Sequence, residues 1–222
     1  MAMKNQRPSA GYDTHAKWAY GRQLEAHIDE LCPVPKDHRV RVYLDTRDAR
    51  ESIHALDLGY LPQNLVAVNW SGREIGLAKR RFTRLDIPKP RFAVGRLEAI
   101  IASFHNAHVV NYDGCPPFGT KASDETIRRI AEQLPQGCVL SVNARAARDG
   151  VFIQPLLQDS ANGGDQEAIA YNLRVRADYV EAIVGTVRQI ADSRTFSYLN
   201  PYKDKNGDRK AHRFVTTTMR LQ

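Results

Sequence analysis

The sequence has 222 residues, of which 42% are hydrophobic and 26% charged, a composition typical of a soluble globular domain that can bury a sizeable core. No apolar stretch approaches the length of a membrane span and the first residues lack the apolar core of a signal peptide, so we expect a cytoplasmic protein with no membrane partner. The spacings of its three cysteines and seven histidines indicate neither a disulfide framework nor a metal site.

The positive charge is concentrated in two stretches. The formal net charge is +7, yet residues 71–96 alone hold eight Lys or Arg against two acids, and residues 194–222 hold seven against two. Such stretches attract polyanions, so nucleic acid is the expected partner. A solvated basic face would give the same pattern, and this alternative stays open at the level of the sequence.

The chain begins with a polar segment, residues 1–13, that contains Pro and Gly and is expected to be flexible. We expect residues 14–222 to form a single domain. Apolar residues at helical spacing predict a first helix over 14–31, which the following prolines end.

Five short apolar runs then alternate with helical patterns, which is typical of βα units around a parallel sheet. Most of the runs end in polar residues, as expected at the carboxyl edge of such a sheet. The strands are predicted at 39–45, 64–69, 91–95, 108–112 and 137–143, and the helices between them at 46–57, 71–87, 97–104 and 123–134.

The last part of the chain changes its period. We predict a long loop over 144–164, a helix over 165–192, and two alternating strands at 195–199 and 212–221 joined by an Asn-Gly turn. The predicted fold class is therefore α/β: a Rossmann-like, doubly wound, mostly parallel seven-stranded sheet with a C-terminal antiparallel hairpin.

This order of elements resembles the class I S-adenosylmethionine-dependent methyltransferases. In that family the first strand leads into an acid-containing, glycine-rich turn, and here Asp45 and Thr46 begin a turn that keeps an acid and has no glycine. The family's second strand ends in an acid that binds the ribose, where this chain has Asn69, followed by Trp70, which could stack on adenine. Arg96 follows the third strand. The resemblance thus implies S-adenosylmethionine as cofactor and these five residues as its binding site.

The segment after the fourth strand resembles a second family motif. Cys115-Pro-Pro-Phe118 is similar to the Asp/Asn/Ser-Pro-Pro-aromatic motif of methyltransferases that act on exocyclic amino groups of adenine or cytosine. There an oxygen accepts hydrogen bonds from the amine and the aromatic ring stacks on the flipped base. Cysteine is a weak acceptor, so Asn111 and Asp113 are further candidates for that role. The implied catalytic residues are Asn111, Asp113, Cys115 and Phe118.

Two functional hypotheses follow from the resemblance. One is a methyltransferase acting on the amino group of a base in nucleic acid, and the other is a catalytically inactive relative that binds nucleic acid or a protein partner. Both use the cations in and beside the hairpin loop, whose long side chains suit phosphate contacts. These cations are Lys203, Lys205, Arg209, Lys210 and Arg213.

Overall fold

A seven-stranded sheet flanked by six α-helices forms the part of the chain that the computed structural model describes. The described residues are 14–113, 119–145, 166–203 and 209–222. Two short 3-10 turns, Pro62–Asn64 and Ile101–Ser103, join elements of the first half. The helices are α1 (Thr14–Leu31), α2 (Arg50–Asp57), α3 (Gly72–Leu85), α4 (Leu97–Ile100), α5 (Lys121–Gln133) and α6 (Gln166–Gly185). The strands are β1 (Arg41–Leu44), β2 (Leu65–Asn69), β3 (Arg91–Val94), β4 (Val109–Tyr112), β5 (Val139–Arg145), β6 (Ile190–Lys203) and β7 (Arg209–Leu221).

The strand order across the sheet is β3-β2-β1-β4-β5-β7-β6. Strands β1 to β5 are parallel, and β7 lies antiparallel between β5 and β6. The predicted fold class, including the C-terminal antiparallel hairpin, is confirmed. The carboxyl ends of β1, β2 and β4 consequently meet at one edge, where the predicted site residues lie.

Alternate residues of the strands pack on opposite faces of the sheet. Val110 and Leu140 belong to the large apolar cluster formed with α4, α5 and α6. Their chain neighbours Val109 and Val139 pack against α1, whose Leu24 is fully buried there. Because both faces are covered, the parallel strands are nearly continuous apolar runs, as expected for a doubly wound sheet.

The C-terminal hairpin is longer than its two predicted strands. Phe214 pairs with Arg145, the last residue of β5, and β6 and β7 continue to pair with each other for five further residue pairs, from Leu199↔Arg213 to Lys203↔Arg209. We call this extension, residues 199–203 and 209–213, the hairpin arm. It leaves the sheet at the carboxyl end of β5.

Several predicted boundaries are wrong. The helix predicted over 97–104 ends at Ile100, and the 3-10 turn Ile101–Ser103 follows it. Residues 186–192 were expected in a helix, but α6 ends at Gly185 and β6 begins at Ile190. Val187 and Ile190 pack on the same apolar cluster as α6, so the apolar spacing continues although the helix does not. Helix α2 begins four residues later than predicted, because residues 46–49 form a turn, and α5 begins two residues earlier.

The predicted loop over 144–164 is only partly testable. Residues 144 and 145 belong to β5, and the remainder lies outside the described residues. Within the described ranges, no helix has the length and apolar character needed to cross a membrane.

Candidate functional site

Asp45 lies directly after β1 and is almost completely buried, with 5% of its surface exposed. Its Oδ1 accepts a hydrogen bond from the backbone N–H of Thr46 (2.8 Å), and its Oδ2 accepts from both the backbone N–H (3.1 Å) and the hydroxyl of Ser52. No Lys or Arg of the described residues forms an ion pair with it. Burial raises the pKa of Asp45 to about 7, although the bonds from Ser52 and Thr46 act in the opposite direction.

The turn from β1 to α2 adopts a conformation that normally needs glycine. Ala49 has φ 51° and ψ 32°, in the left-handed region, and its side chain is fully buried. Its N–H donates to the carbonyl oxygen of Thr46 (2.9 Å), which closes the turn. Arg47 forms an ion pair with Glu74 of α3 (3.0 Å) across the turn. The backbone therefore takes a glycine-like shape without a glycine, at a cost of roughly 1–2 kcal/mol.

Asn69, at the end of β2, is fixed next to this turn. Its Nδ2 donates to the carbonyl oxygen of Asp45 (2.6 Å), and its Oδ1 accepts from the backbone N–H of Ser71 (2.9 Å). A side-chain amide has two donors and two acceptor lone pairs, so one of each remains for a ligand. Trp70 follows with 77% of its surface exposed.

The predicted cofactor residues lie on three adjacent loops. The backbone N–H of Gly95 donates to the carbonyl oxygen of Asn69 (3.0 Å), which brings the exposed Arg96 beside the end of β2. The N–H of Asp45 likewise donates to the carbonyl oxygen of Val68 (3.0 Å). The structure thus brings together all five predicted cofactor residues: Asp45, Thr46, Asn69, Trp70 and Arg96.

Asp113, just after β4, is held by a buried asparagine that we did not predict. The Nδ2 of Asn143 donates to Asp113 Oδ1 (2.7 Å) and to the hydroxyl oxygen of Tyr198 (3.2 Å), while its Oδ1 accepts from the hydroxyl of Thr216 (3.0 Å). In the sequence, Asn143 follows the apolar run of β5 just as Asn111 follows that of β4. This similarity is the sequence feature that could have marked Asn143 as a site residue. Asn143 links β4, β5, β6 and β7 at the carboxyl edge.

Three aromatic rings pack together next to Asn143, the residue that holds Asp113. Tyr198 stacks on Phe214 with a centroid distance of 5.1 Å, and its ring lies 4.4 Å from that of Tyr20 in α1. Burial, followed by the charge of Asp113, raises the pKa of Tyr20 well above its usual value. A half-buried carboxylate next to flat apolar rings can accept hydrogen bonds from the N–H groups of a planar amine.

Asn111 is buried in β4, between Tyr43 of β1 and Ser141 of β5. Its Oδ1 has no hydrogen-bond partner among the residues that the structure describes. A buried acceptor without a partner costs about 1–3 kcal/mol, so this oxygen is a place where a bound group could restore a hydrogen bond. Cys115 and Phe118, the other two predicted catalytic residues, lie outside the described residues.

The predicted phosphate-binding cations cluster on the hairpin arm. Lys203 and Arg209 form its outermost residue pair, Lys210 pairs with Tyr202, and the half-buried Arg213 pairs with Leu199 near its base. Lys205 lies outside the described residues.

Comparison with known proteins reveals similarity of fold. No protein-family model and no curated protein sequence matches the chain. Among solved structures it is similar to one described by the conversion of a disulfide bond into a thioacetal group during echinomycin biosynthesis (11% identity, TM-score 0.56, covering 97% of this chain and 86% of that one).

Two further structures extend this comparison. The N-methyltransferase NodS from Bradyrhizobium japonicum WM9 is 12% identical, with a TM-score of 0.52 over 94% of this chain and 98% of that one. A spermidine synthase in complex with the transition-state analogue AdoDATO is 14% identical, with a TM-score of 0.52 over 91% of this chain and 59% of that one. The chain therefore has the Rossmann-like fold of the class I S-adenosylmethionine-dependent methyltransferases.

Proposed function

We propose that this protein is an S-adenosylmethionine-dependent methyltransferase that acts on an amino group of a base in nucleic acid. The observation that carries the proposal is the buried carboxylate of Asp45, which has no ion-pair partner among the described residues. Ionising a buried carboxylate without a counter-charge is costly. S-adenosylmethionine carries a sulfonium and an ammonium group, and either cation near Asp45 would favour the ionised form.

The neighbouring residues fit the rest of that cofactor. The free donor and acceptor of Asn69 match the two ribose hydroxyls, and the exposed indole of Trp70 offers a face on which adenine can stack. Thr46 and Arg96 border the same space. When bound, the cofactor supplies an electrophilic methyl group, and the chain's part is to orient the cofactor and its acceptor.

Asp113 is the residue that would orient the acceptor amine. Held by Asn143, its carboxylate accepts hydrogen bonds from the amine and directs the nitrogen lone pair away from itself. In a transfer, the S–C bond of the cofactor would break as the N–C bond forms and the neutral thioether would leave; the same carboxylate would stabilise the positive charge that develops on nitrogen and accept the proton that the nitrogen then loses. Asn111 offers a second acceptor oxygen, and Cys115 and Phe118 remain predicted members of the site.

Nucleic acid as the substrate is supported by the hairpin arm. The arm begins next to Tyr198, which contacts the Asn143 that holds Asp113, and it carries Lys203, Arg209 and Lys210. Cations on an arm that begins at the acceptor site suit contacts to phosphates that flank a target base. Lys205 and Arg213 complete the predicted set.

The cofactor is tested by calorimetric titration with S-adenosylmethionine at pH 6 and pH 8. Because Asp45 has a pKa of about 7, we expect affinity to rise about tenfold between these values, as the carboxylate ionises. Asp45→Asn should bind weakly and without this pH dependence. Asp48→Asn, in the same turn, is the matched control and should resemble the wild type. Absence of binding heat in the wild type would overturn the proposal.

One observation favours the alternative, a catalytically inactive module that binds nucleic acid or a protein partner. Both carboxylate oxygens of Asp45 already accept bonds within the turn, and Ala49 adds a Cβ to a turn that is glycine-rich in the family. Transfer of a labelled methyl group to RNA or DNA separates the two functions. Asp113→Asn should abolish transfer from an active enzyme, whereas an inactive module shows no transfer in the wild type either.

A further inference from the structure

The outer face of α3 carries a straight row of arginines. Ile75 and Phe82 are buried against the sheet, and Arg73, Arg80 and Arg84 are exposed on the opposite side. At about 100° per residue, these three positions fall within about 40° of one another around the helix, and they extend over about 16 Å of its axis. We call these three residues the α3 arginine row.

The arginine row has no carboxylate partner among the residues that the structure describes. None of its three side chains forms an ion pair within the described ranges. In contrast, Arg129 pairs with Glu125 on α5, and Arg174 with Asp178 on α6. The nearby Glu74 is already paired with Arg47. The row is therefore a surface of uncompensated positive charge.

Basic, exposed residues also follow the row in the chain. Lys89, between α3 and β3, and Arg91, the first residue of β3, are also exposed and have no carboxylate partner in the described part of the chain. Two apolar side chains are exposed close by in the sequence, Leu85 at 45% and Val94 at 56%. β3 is the edge strand next to α3, and among the described residues it pairs only with β2.

We propose that the α3 arginine row binds the phosphate backbone of single-stranded nucleic acid. The guanidinium fork forms bidentate hydrogen bonds with phosphate oxygens, and three forks in line match the repeating charge of a strand. The exposed Leu85 and Val94 favour a single strand, because its bases have free apolar faces that a duplex buries. This surface lies on the β2–β3 side of the sheet, away from the hairpin arm.

This inference deepens the proposed function, since it gives the nucleic-acid substrate a path that leads to the carboxyl edge at Trp70. Binding to the row needs neither cofactor nor methyl transfer. The two ideas can therefore fail separately if binding is measured without S-adenosylmethionine.

The test is fluorescence anisotropy with a labelled 12-nucleotide single strand over a range of salt concentrations. The variant Arg73→Gln/Arg80→Gln/Arg84→Gln should bind at least tenfold more weakly at low salt. Its slope of log affinity against log salt should be lower by about two, at about 0.7 per lost phosphate contact on a single strand. The matched control, Lys121→Gln/Arg129→Gln/Arg174→Gln, removes the same charge from α5 and α6 and should bind as the wild type does.

Three results would overturn the assignment. Equal weakening in the control would mean that only net charge matters. Tighter binding of a duplex of the same length would exclude a single-strand path. Full displacement of the strand by polyglutamate at equal charge concentration would indicate a site for acidic polypeptides. Circular dichroism of both triple variants verifies that the helices are retained.

Discussion

Buried charged groups lie at both ends of strand β1, and they differ in whether the chain supplies a counter-charge. At its amino end, Arg39 and Arg41 both donate to the carboxylate of Glu25 in α1, at 3.1 and 3.0 Å, and the hydroxyl of Tyr60 adds a third bond at 2.8 Å. At its carboxyl end, Asp45 is equally buried and forms no ion pair with any residue that the structure describes. The first group is complete within the chain and fastens α1 to the sheet. The second has no counter-charge among the described residues, and we propose that a cationic ligand supplies it.

The largest expected effect is the loss of the carboxylate at the amino end. Glu25→Gln leaves the buried guanidinium of Arg41 without its carboxylate and Arg39 with Asp29 alone, and should lower the free energy of unfolding by about 3–5 kcal/mol. Urea unfolding measures this loss. The matched control is Glu125→Gln, which breaks an exposed pair and should cost about 0.5 kcal/mol or less. If both variants lost the same amount, the buried network would have no special role.

The next effect is the pH dependence from Asp45. The pKa of Asp45 is about 7 in the folded protein and 3.8 in the unfolded chain, so the folded protein binds this proton more tightly. The contribution of Asp45 to the free energy of unfolding is therefore full below about pH 4 and is lost as pH rises through 7. The difference is up to about 4 kcal/mol. We expect the wild type to lose stability relative to Asp45→Asn between pH 4 and 8.

Denaturant unfolding of both proteins at each pH gives this difference directly. Asp48→Asn serves as the reference and should remain parallel to the wild type. If the free energy of unfolding of Asp45→Asn also varied with pH as that of the wild type does, Asp45 would ionise as freely in the folded protein as in the unfolded chain.

Two buried asparagines, Asn143 and Asn111, differ in how fully their side chains are hydrogen-bonded, and we expect a smaller effect from this difference. Asn143 makes three side-chain hydrogen bonds, whereas the Oδ1 of Asn111 makes none within the described part of the chain. Asn143→Leu should lower the free energy of unfolding by about 2–3 kcal/mol, and Asn111→Leu should change it by no more than about 1 kcal/mol. Thermal unfolding of the pair checks this order. Equal losses would show that Asn111 is as firmly bonded as Asn143.

The smallest effect concerns the turn at the carboxyl end of β1. Ala49→Gly removes the Cβ from a left-handed residue, and the strain that this relieves offsets the added entropy of the unfolded chain. The free energy of unfolding should stay the same or rise by about 1 kcal/mol. Ala55→Gly in α2, the control, should lower it by about 1 kcal/mol or more. A loss at Ala49 as large as at Ala55 would mean that the turn carries no strain.

The sequence was sufficient for the fold because its signals are local. Alternating βα patterns and the Asn-Gly hairpin signal predicted the sheet, and the polar ends of the strands placed Asp45, Asn69 and Asp113 at one edge. Contacts that depend on register were not predictable: Asn143 reaches Asp113 only because β5 pairs with β4. The left-handed Ala49 was also invisible, since alanine favours the right-handed region and the surrounding packing overrides that preference.

The position of β7 between β5 and β6 has a consequence for how the site is assembled. Hairpin formation between β6 and β7 is local and fast, whereas joining β7 to β5 closes a long loop and is expected to be slow. Since β6 pairs only with β7 among the described strands, the hairpin docks as one unit. The bond between Asn69 and Asp45 needs only β1 and β2, which are close in the sequence. The bond from Thr216 to Asn143, in contrast, forms only when the hairpin docks on β5. A folding intermediate with β1 to β5 in place would therefore contain the turn at Asp45 and the bond between Asn143 and Asp113, but not the bonds to Tyr198 and Thr216 that fix Asn143 from the hairpin side.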